Sequence, residues 1–321
     1  MLGMVLRRLV QLPIILAVIY TITLTLAWAI PGNPLENPEG RKPPPEVSQA
    51  MLEQYNLDSF PKFYVSYLHN ASGVAWLQRK LAGERTHGYI LDLGPSLKYE
   101  DWSVNEIIAG SLPVSVTLGS VAILIALVTG TAAGVIGAVR PNSFWDLSTL
   151  SIALIGISLP NFVIGTVLLL IFSVWFAVLP VAEWGHVRAL ILPAVTLSLP
   201  FAAYIARLTR MGMLEHLGAD FIRTARAKGL AESRILLKHA LKNAFLPVLS
   251  YLGPAAALAM TGSFIVERVF NVPGMGQHFV NGVQNKDLFL IMGVVLIFAT
   301  MLILFNLAVD VMYRWVDPRI D

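Results

Sequence analysis

The sequence has no cysteine and little charge. The first absence excludes disulfides, thiol catalysis and thiolate metal sites. Charged residues make up 13% of the 321 residues, against roughly 25% in an average soluble domain. The chain also lacks the pattern Gly-x-x-x-x-Gly-Lys-Ser/Thr, and the dipeptide Gly-Lys occurs nowhere, so it cannot hold nucleotide phosphates in the P-loop manner. There is no His-Glu-x-x-His, and no serine or carboxylate pair falls into a recognisable catalytic arrangement. No nucleic-acid recognition motif is present either. No catalytic residue, metal ligand or cofactor site is therefore expected in this chain.

Apolar runs take the place of charge. Hydrophobic residues are 56% of the chain, and six runs contain no Asp, Glu, Lys, Arg or His: 9–30, 113–139, 148–179, 189–206, 245–266 and 288–309. Each meets the length of about 18 apolar residues that marks a membrane-crossing helix. The runs are continuous rather than alternating, which favours helices over a β-barrel. The expected class is an all-α polytopic membrane protein with six transmembrane helices. Arg7 and Arg8 precede the first run and Ala27-Trp28-Ala29 matches a small-x-small cleavage pattern, so a cleaved signal is an alternative for that run. Its length, and the five runs that follow, favour an uncleaved first helix. Ionisable groups are absent from the runs themselves, which argues against proton relay through them.

Lys and Arg bias sets the expected orientation. Arg7, Arg8, Arg140, the basic residues from Arg207 to Lys242, Arg314 and Arg319 fall on one side, whereas the short loops on the other side hold only Arg188, Arg268 and Lys286. Both termini are expected to be cytoplasmic. Residues 1–30 then form the first transmembrane helix, 31–105 a large extracytoplasmic segment, and 106–321 a five-helix core carrying a cytoplasmic hairpin over 212–247. The outer segment starts rich in proline and is expected to be extended, followed by a short helix near Glu46–Asn56. Tyr55, Phe60, Phe63, Tyr64 and Tyr67 are expected to anchor the segment at the membrane interface or to pack locally. The sequon Asn70-Ala71-Ser72 is a three-residue match and is read as chance. No internal repeat supports an inverted-repeat secondary transporter.

The stretch DFIRTARAKGLAESRILLKHALKNAFLP, Asp220 to Pro247, is a dense basic insertion between apolar runs. Asp220 can cap a helix through Lys228, and Gly229 can end it in the left-handed conformation. A second helix is expected from Glu232, whose charge suits a helix N-terminus. On it, Arg234, Lys238 and Lys242 would form a basic stripe, and Leu237, Leu241, Ala244 and Val248 an apolar one. Anionic lipid headgroups alone could explain the charge. They do not explain the glycine break or the small residues around it, which suit insertion into a protein cleft. A membrane scaffold or lipid receptor, and an ion-coupled transporter, remain the readings of a different class.

Here the sequence resembles a family. ARAKGL at Ala225–Leu230, followed by LLKHALKNAFLPVLSYLGP at Leu236–Pro254, is similar to the cytoplasmic signature of ABC importer permeases, and more narrowly to the B-type permeases of oligopeptide and dipeptide importers. LDLGPSLKY at Leu91–Tyr99, SVNEII at Ser103–Ile108, ERVFNVPGMGQ at Glu267–Gln277 and DPRI at Asp317–Ile320 resemble the oligopeptide branch in the same order. Where the general permease loop carries Glu-Ala-Ala and Leu-Pro, this chain has Arg223-Thr224-Ala225 and Leu241-Lys242, as in that branch. Residues 71–88 lengthen the outer segment beyond the family pattern.

The resemblance implies the type I ABC importer permease fold in a bacterial cytoplasmic (inner) membrane. It implies a second homologous permease subunit, two cytoplasmic ABC ATPases that bind ATP and Mg, and an extracytoplasmic peptide-binding protein. Arg223, Ala225, Arg226, Lys228, Gly229, Leu230 and Glu232 are the expected ATPase-docking residues. Ser158, Pro160 and Asn161 in the third run, with Thr261 and Ser263 in the fifth, either line a translocation path or form helix-packing seams. The cargo expected is peptide, with nickel, haem or cell-wall peptides as alternatives within the family.

Overall fold

The computed structural model describes residues 2–35, 44–83, 88–99, 101–181 and 183–316. The motif at Asp317–Ile320 and much of the proline-rich start of the outer segment lie outside the described residues. The elements are α1 (Leu2–Ala29), α2 (Pro45–Gln54), α3 (Phe60–Ala71), α4 (Val74–Leu81), α5 (Val104–Val139), α6 (Phe144–Ser158) and α7 (Asn161–Leu169), which continues as a π-turn over Leu170–Trp175. There follow α8 (Val187–Leu217), α9 (Asp220–Ala227), α10 (Glu232–Arg234), a second π-turn (Ile235–Ala240), α11 (Leu241–Ala244), α12 (Leu246–Met260), α13 (Phe264–Val269), α14 (Met275–Gln284) and α15 (Leu288–Val316). Among the described residues β pairing is limited to an isolated bridge between Pro95 and Ser103.

Among the described residues, five stretches are long and apolar enough to cross a membrane as they stand: Val10–Ala29, Val104–Val139, Val187–Leu217, Leu246–Val269 and Leu288–Tyr313. The third apolar run makes a sixth when its two halves are taken as one broken span. Its two halves, Phe144–Ser158 and Asn161–Trp175, are bent by 106°. Pro160 causes the break: its ring disfavours the helical conformation in the preceding residue, and Leu159 is extended at φ −84° and ψ 132°. With 36 residues, α5 is about 54 Å long, well beyond the roughly 30 Å of bilayer hydrocarbon.

The runs also understate the spans, because they stop at the first ionisable residue whereas the helices continue. Asp146 lies in α6, Arg210 in α8 and Glu267 in α13, and each has a protein partner. Asp146 takes a forked contact from Arg210, with Nε 2.6 Å from Oδ1 and an amino group 2.8 Å from Oδ2. Buried Glu267 accepts from the Ser115 hydroxyl at 2.8 Å.

The chain divides into two compact units. The first comprises residues 114–273 and 301–321. Its helices meet at glycines whose hydrogens face the neighbouring backbone. A Cβ added at Gly119 would lie 2.4 Å from the Ala259 carbonyl oxygen, one at Gly130 2.6 Å from that of Ala202, and one at Gly134 2.6 Å from that of Ala206. Small residues at helix crossings of this kind replace the hydrophobic driving force that lipid cannot supply. Leu118, Ala122, Leu192, Leu197 and Val266 form a buried cluster in this unit.

The second unit comprises residues 2–113 and 274–300. Its core is aromatic: Phe63 and Tyr67 of α3 are fully buried against Tyr20 and Trp28 of α1 and Phe289 of α15. The aromatic cluster of the outer segment therefore packs onto α1 and α15 rather than only on its own neighbours. Residues 93–97 are tied to the start of α15 by Asp287, whose carboxylate accepts from Ser96 Oγ at 2.5 Å, Leu97 N at 3.0 Å and Leu290 N at 3.1 Å. Burial pushes the Asp287 pKa above the ordinary 3.8, against the lowering effect of these hydrogen bonds. The folded state then binds this proton more tightly than the unfolded chain does. The stability linked to it is present at low pH and is lost as pH rises through the raised value.

Asp287→Asn must leave either Leu97 N or Leu290 N without its acceptor, which costs about 1–3 kcal/mol. The variant should melt below wild type in detergent, and the deficit should shrink as pH rises above 3.8, because only the wild type carries the buried charge. Melting curves across that range check it. A deficit that grows with pH would contradict the raised value.

Candidate docking site

The α9–α10 hairpin begins differently from the sequence expectation. Ala219, not Asp220, is the N-cap of α9, and Asp220 is the first helical residue, making no side-chain cap. The carboxylate instead stands 3.4 Å from Arg223, an exposed pair. α8 also continues unbroken to Leu217, so residues 212–217 belong to the long helix and the free hairpin starts after it. Arg207 and Arg210 end the apolar run but do not end the helix.

The exit from α9 is as the glycine suggests. Gly229 has φ +73°. Its N–H donates to the Arg226 carbonyl at 2.9 Å, and the N–H of Leu230 donates to the Ala225 carbonyl at 3.3 Å. This double closure is the Schellman arrangement, which satisfies the last carbonyls of a helix and needs a left-handed residue at the turn. Nothing lies within 4 Å of a Cβ built on Gly229, so conformation rather than crowding requires glycine here. Across the turn the Arg226 guanidinium reaches Glu232 at 2.7 Å and holds its carboxyl below the usual value.

The second strut is not the regular helix expected. After α10 the chain makes a π-turn over Ile235–Ala240, which shifts the inward-facing register by one residue. Ile235, Ala240, Ala244 and Val248 are buried, while Leu237 is 63% exposed and leaves the apolar stripe. Arg234, Lys238 and Lys242 remain exposed.

These buried residues fix the hairpin to its base. Ile222, Ala225, Ile235, Ala240 and Ala244 form one cluster with Met213 of α8 and Ala138 of α5. A Cβ on Gly212 would lie 2.7 Å from the Ala244 carbonyl oxygen, so the strut and α8 touch through their backbones. Ala225 is only 7% exposed and faces this cluster, and Leu230 is half-buried against it. Ala225 therefore belongs to the foundation rather than to the outer surface, and Leu230 lies at the margin between the two. Arg223, Arg226, Lys228, Gly229 and Glu232 form the exposed knuckle.

The five path residues separate into two groups. Thr261 is buried with its hydroxyl on the Ala257 carbonyl at 2.7 Å, and the Ser263 hydroxyl accepts from Val266 N as the N-cap of α13. Both spend their polar groups on their own backbone, which fits a helix junction better than a cavity wall. Ser158 and Pro160 are exposed and Asn161 half-buried at the α6–α7 bend.

Sequence reasoning missed the Asp146–Arg210 pair, which joins α6 to α8 across 64 residues of chain. Its one local signal is the Asn142-Ser143 turn, where Asn142 N donates to Asp146 Oδ2 at 2.9 Å and Ser143 caps α6.

Residues 130–321, which contain this hairpin, match the family described as "Binding-protein-dependent transport system inner membrane component". The chain belongs to that family. As a transport-system inner membrane component, it is multi-pass. It is 41% identical over 323 residues to the oligopeptide transport system permease protein OppB of Haemophilus influenzae, covering 100% of this chain and 99% of that protein. Identity to OppB of Escherichia coli K12 is 42% over 323 residues, with the same coverage. The dipeptide transport system permease protein DppB of Bacillus subtilis is 40% identical over 305 residues, covering 94% of this chain and 92% of that protein.

Among solved structures, the inward-facing MetNI methionine ABC transporter in its native crystal form aligns with a TM-score of 0.53 at 18% identity, over 66% of this chain and 97% of that one. Its selenomethionine-soaked form gives 0.51 at 20% identity, over 66% and 96%. The inner membrane component thus has the type I ABC importer permease fold.

Proposed function

We propose that this chain is a permease subunit of an ATP-driven importer of oligopeptides, and that the hairpin at Asp220–Leu230 is where a cytoplasmic ATPase docks. The observation that carries the reading is the exposed knuckle of Arg223, Arg226, Lys228, Gly229 and Glu232 on a buried base shared with α5 and α8. A rigid lever on two long helices can carry a two-state motion from a partner into the helix bundle. The names of the relatives, full-length at about two-fifths identity, support peptide as the cargo.

In this reading the chain pairs with a second homologous permease, two ATPases that bind ATP and Mg, and an extracytoplasmic peptide-binding protein. Both termini and the hairpin are cytoplasmic, and the segment between α1 and α5 lies outside. ATP-driven closure of the ATPase pair draws the hairpins together and turns the permeases outward, so the binding protein can deliver its peptide. Hydrolysis resets them. The basic residues Arg234, Lys238 and Lys242 face the anionic inner leaflet beside the dock.

Reconstituted vesicles carrying the complex should take up a labelled oligopeptide when ATP is present, and should continue when the proton gradient is collapsed. Uptake that follows the gradient and ignores ATP would overturn the reading in favour of a secondary transporter.

A further inference from the structure

The unit formed by residues 2–113 and 274–300 contains a partly open cavity of about 620 Å3. Its walls come from α1, α5 and α15, with the end of α3 and residues 89–93. We propose that this cavity holds an acyl chain of a membrane phospholipid.

The chemistry of the wall points to hydrocarbon. Among the described residues no charged side chain lines the cavity. Of its polar side chains, Asn105, Thr300 and Tyr20 are already engaged, which leaves Ser72 and Tyr89 at the rim. The Asn105 amide donates to the Leu91 carbonyl at 2.8 Å while its oxygen accepts from Leu93 N at 2.9 Å. The Thr300 hydroxyl donates to the Leu296 carbonyl at 2.7 Å, and the Tyr20 hydroxyl to that of Tyr64 at 2.6 Å. A polar ligand entering here would give up its hydrogen bonds to water without recovering them. Water filling the space would lack the polar partners that hold buried waters in place. The volume lies within the roughly 300–1,000 Å3 of sites that take small molecules.

Continuity with the bilayer supplies the occupant. The helix that presents Leu12 and Leu16 to the cavity also exposes Val10, Ile14, Val18 and Ile22. In a transport-system inner membrane component those side chains meet lipid tails, and a tail needs no aqueous passage to move from that surface into the cavity.

The test uses the full chain with its partner subunits in vesicles of phosphatidylethanolamine and phosphatidylglycerol. A trace of phosphatidylethanolamine carries a diazirine on one acyl chain. After irradiation, labelled positions are mapped by mass spectrometry. Label is expected at Leu16 and Leu296 in the cavity as well as at exposed Val10, Ile14 and Ile22. Ala17 and Ala109 line the cavity and are exposed, so larger side chains there enter open space rather than packed wall.

Ala17→Phe combined with Ala109→Phe should lower labelling at Leu16 and Leu296 at least fivefold and leave Val10, Ile14 and Ile22 unchanged. Should the double variant fail to insert, Ala109→Phe alone is read in the same way. Undiminished cavity label in the filled protein would overturn the proposal. So would absence of label at Leu16 and Leu296 in wild type while Val10 and Ile14 are labelled.

Discussion

Gly229→Trp is expected to abolish recovery of the ATPase subunits with this chain from detergent extracts, while the amount of inserted permease stays the same. Two effects act together. The backbone at φ +73° lies in the left-handed region, where a β-carbon costs about 1–2 kcal/mol. The Schellman closure made by Gly229 N and Leu230 N then loosens, and the exposed residues of the knuckle lose their fixed positions. Bulk is the second effect. Beyond its two chain neighbours nothing lies within 4 Å of a Cβ at Gly229, so an indole there meets no crowding within the permease and projects toward any partner.

Gly229→Asn separates the two contributions, because asparagine tolerates the left-handed region far better than other non-glycine residues. It should retain most of the co-purification that Gly229→Val loses. Undiminished recovery of the ATPases with Gly229→Trp would sink the docking assignment, whatever the behaviour of the permease alone.

What the sequence made legible follows from how local each cause is. Apolar runs report burial in lipid residue by residue, so the spans and the left-handed turn at Gly229 could be read directly. The break at Leu159–Pro160 was visible as a proline, but its 106° consequence depends on what each half packs against. The inward register of the second strut was not legible, because a π-turn shifts which residues face inward without any change in composition. Contacts between distant parts of the chain were hidden for the same reason. Nothing near Asp146 specifies Arg210, and nothing in Tyr67 specifies Phe289. Ala225 shows the effect within the hairpin itself: a small residue beside the turn reads as a docking surface, yet the helix turns it inward onto Ile222, Met213 and Ile235.

The glycines of α5 carry the largest expected effect on stability. Gly134→Leu places a Cβ 2.6 Å from both the Ala206 carbonyl oxygen and Thr209 Cβ, and 3.0 Å from Arg210 N. Two of these three atoms belong to the backbone of α8, which cannot rotate aside as a side chain does. The helices must separate instead. The neighbouring contact at Gly130 opens with them, and Arg210 is drawn away from Asp146, which is only 1% exposed. Overpacking in a well-filled core costs about 1–3 kcal/mol, and the upper end or beyond is expected where backbone must move.

Gly110→Leu is the control on the same helix, since no atom lies within 4 Å of its Cβ and leucine favours helix over glycine by roughly 0.5–1 kcal/mol. Thermal melts in detergent should therefore place Gly134→Leu well below wild type and Gly110→Leu at or above it, with monodisperse yield following the same order. If both variants melt together, α5 and α8 are not in backbone contact at Gly134, and the rigid base beneath the hairpin loses its main support.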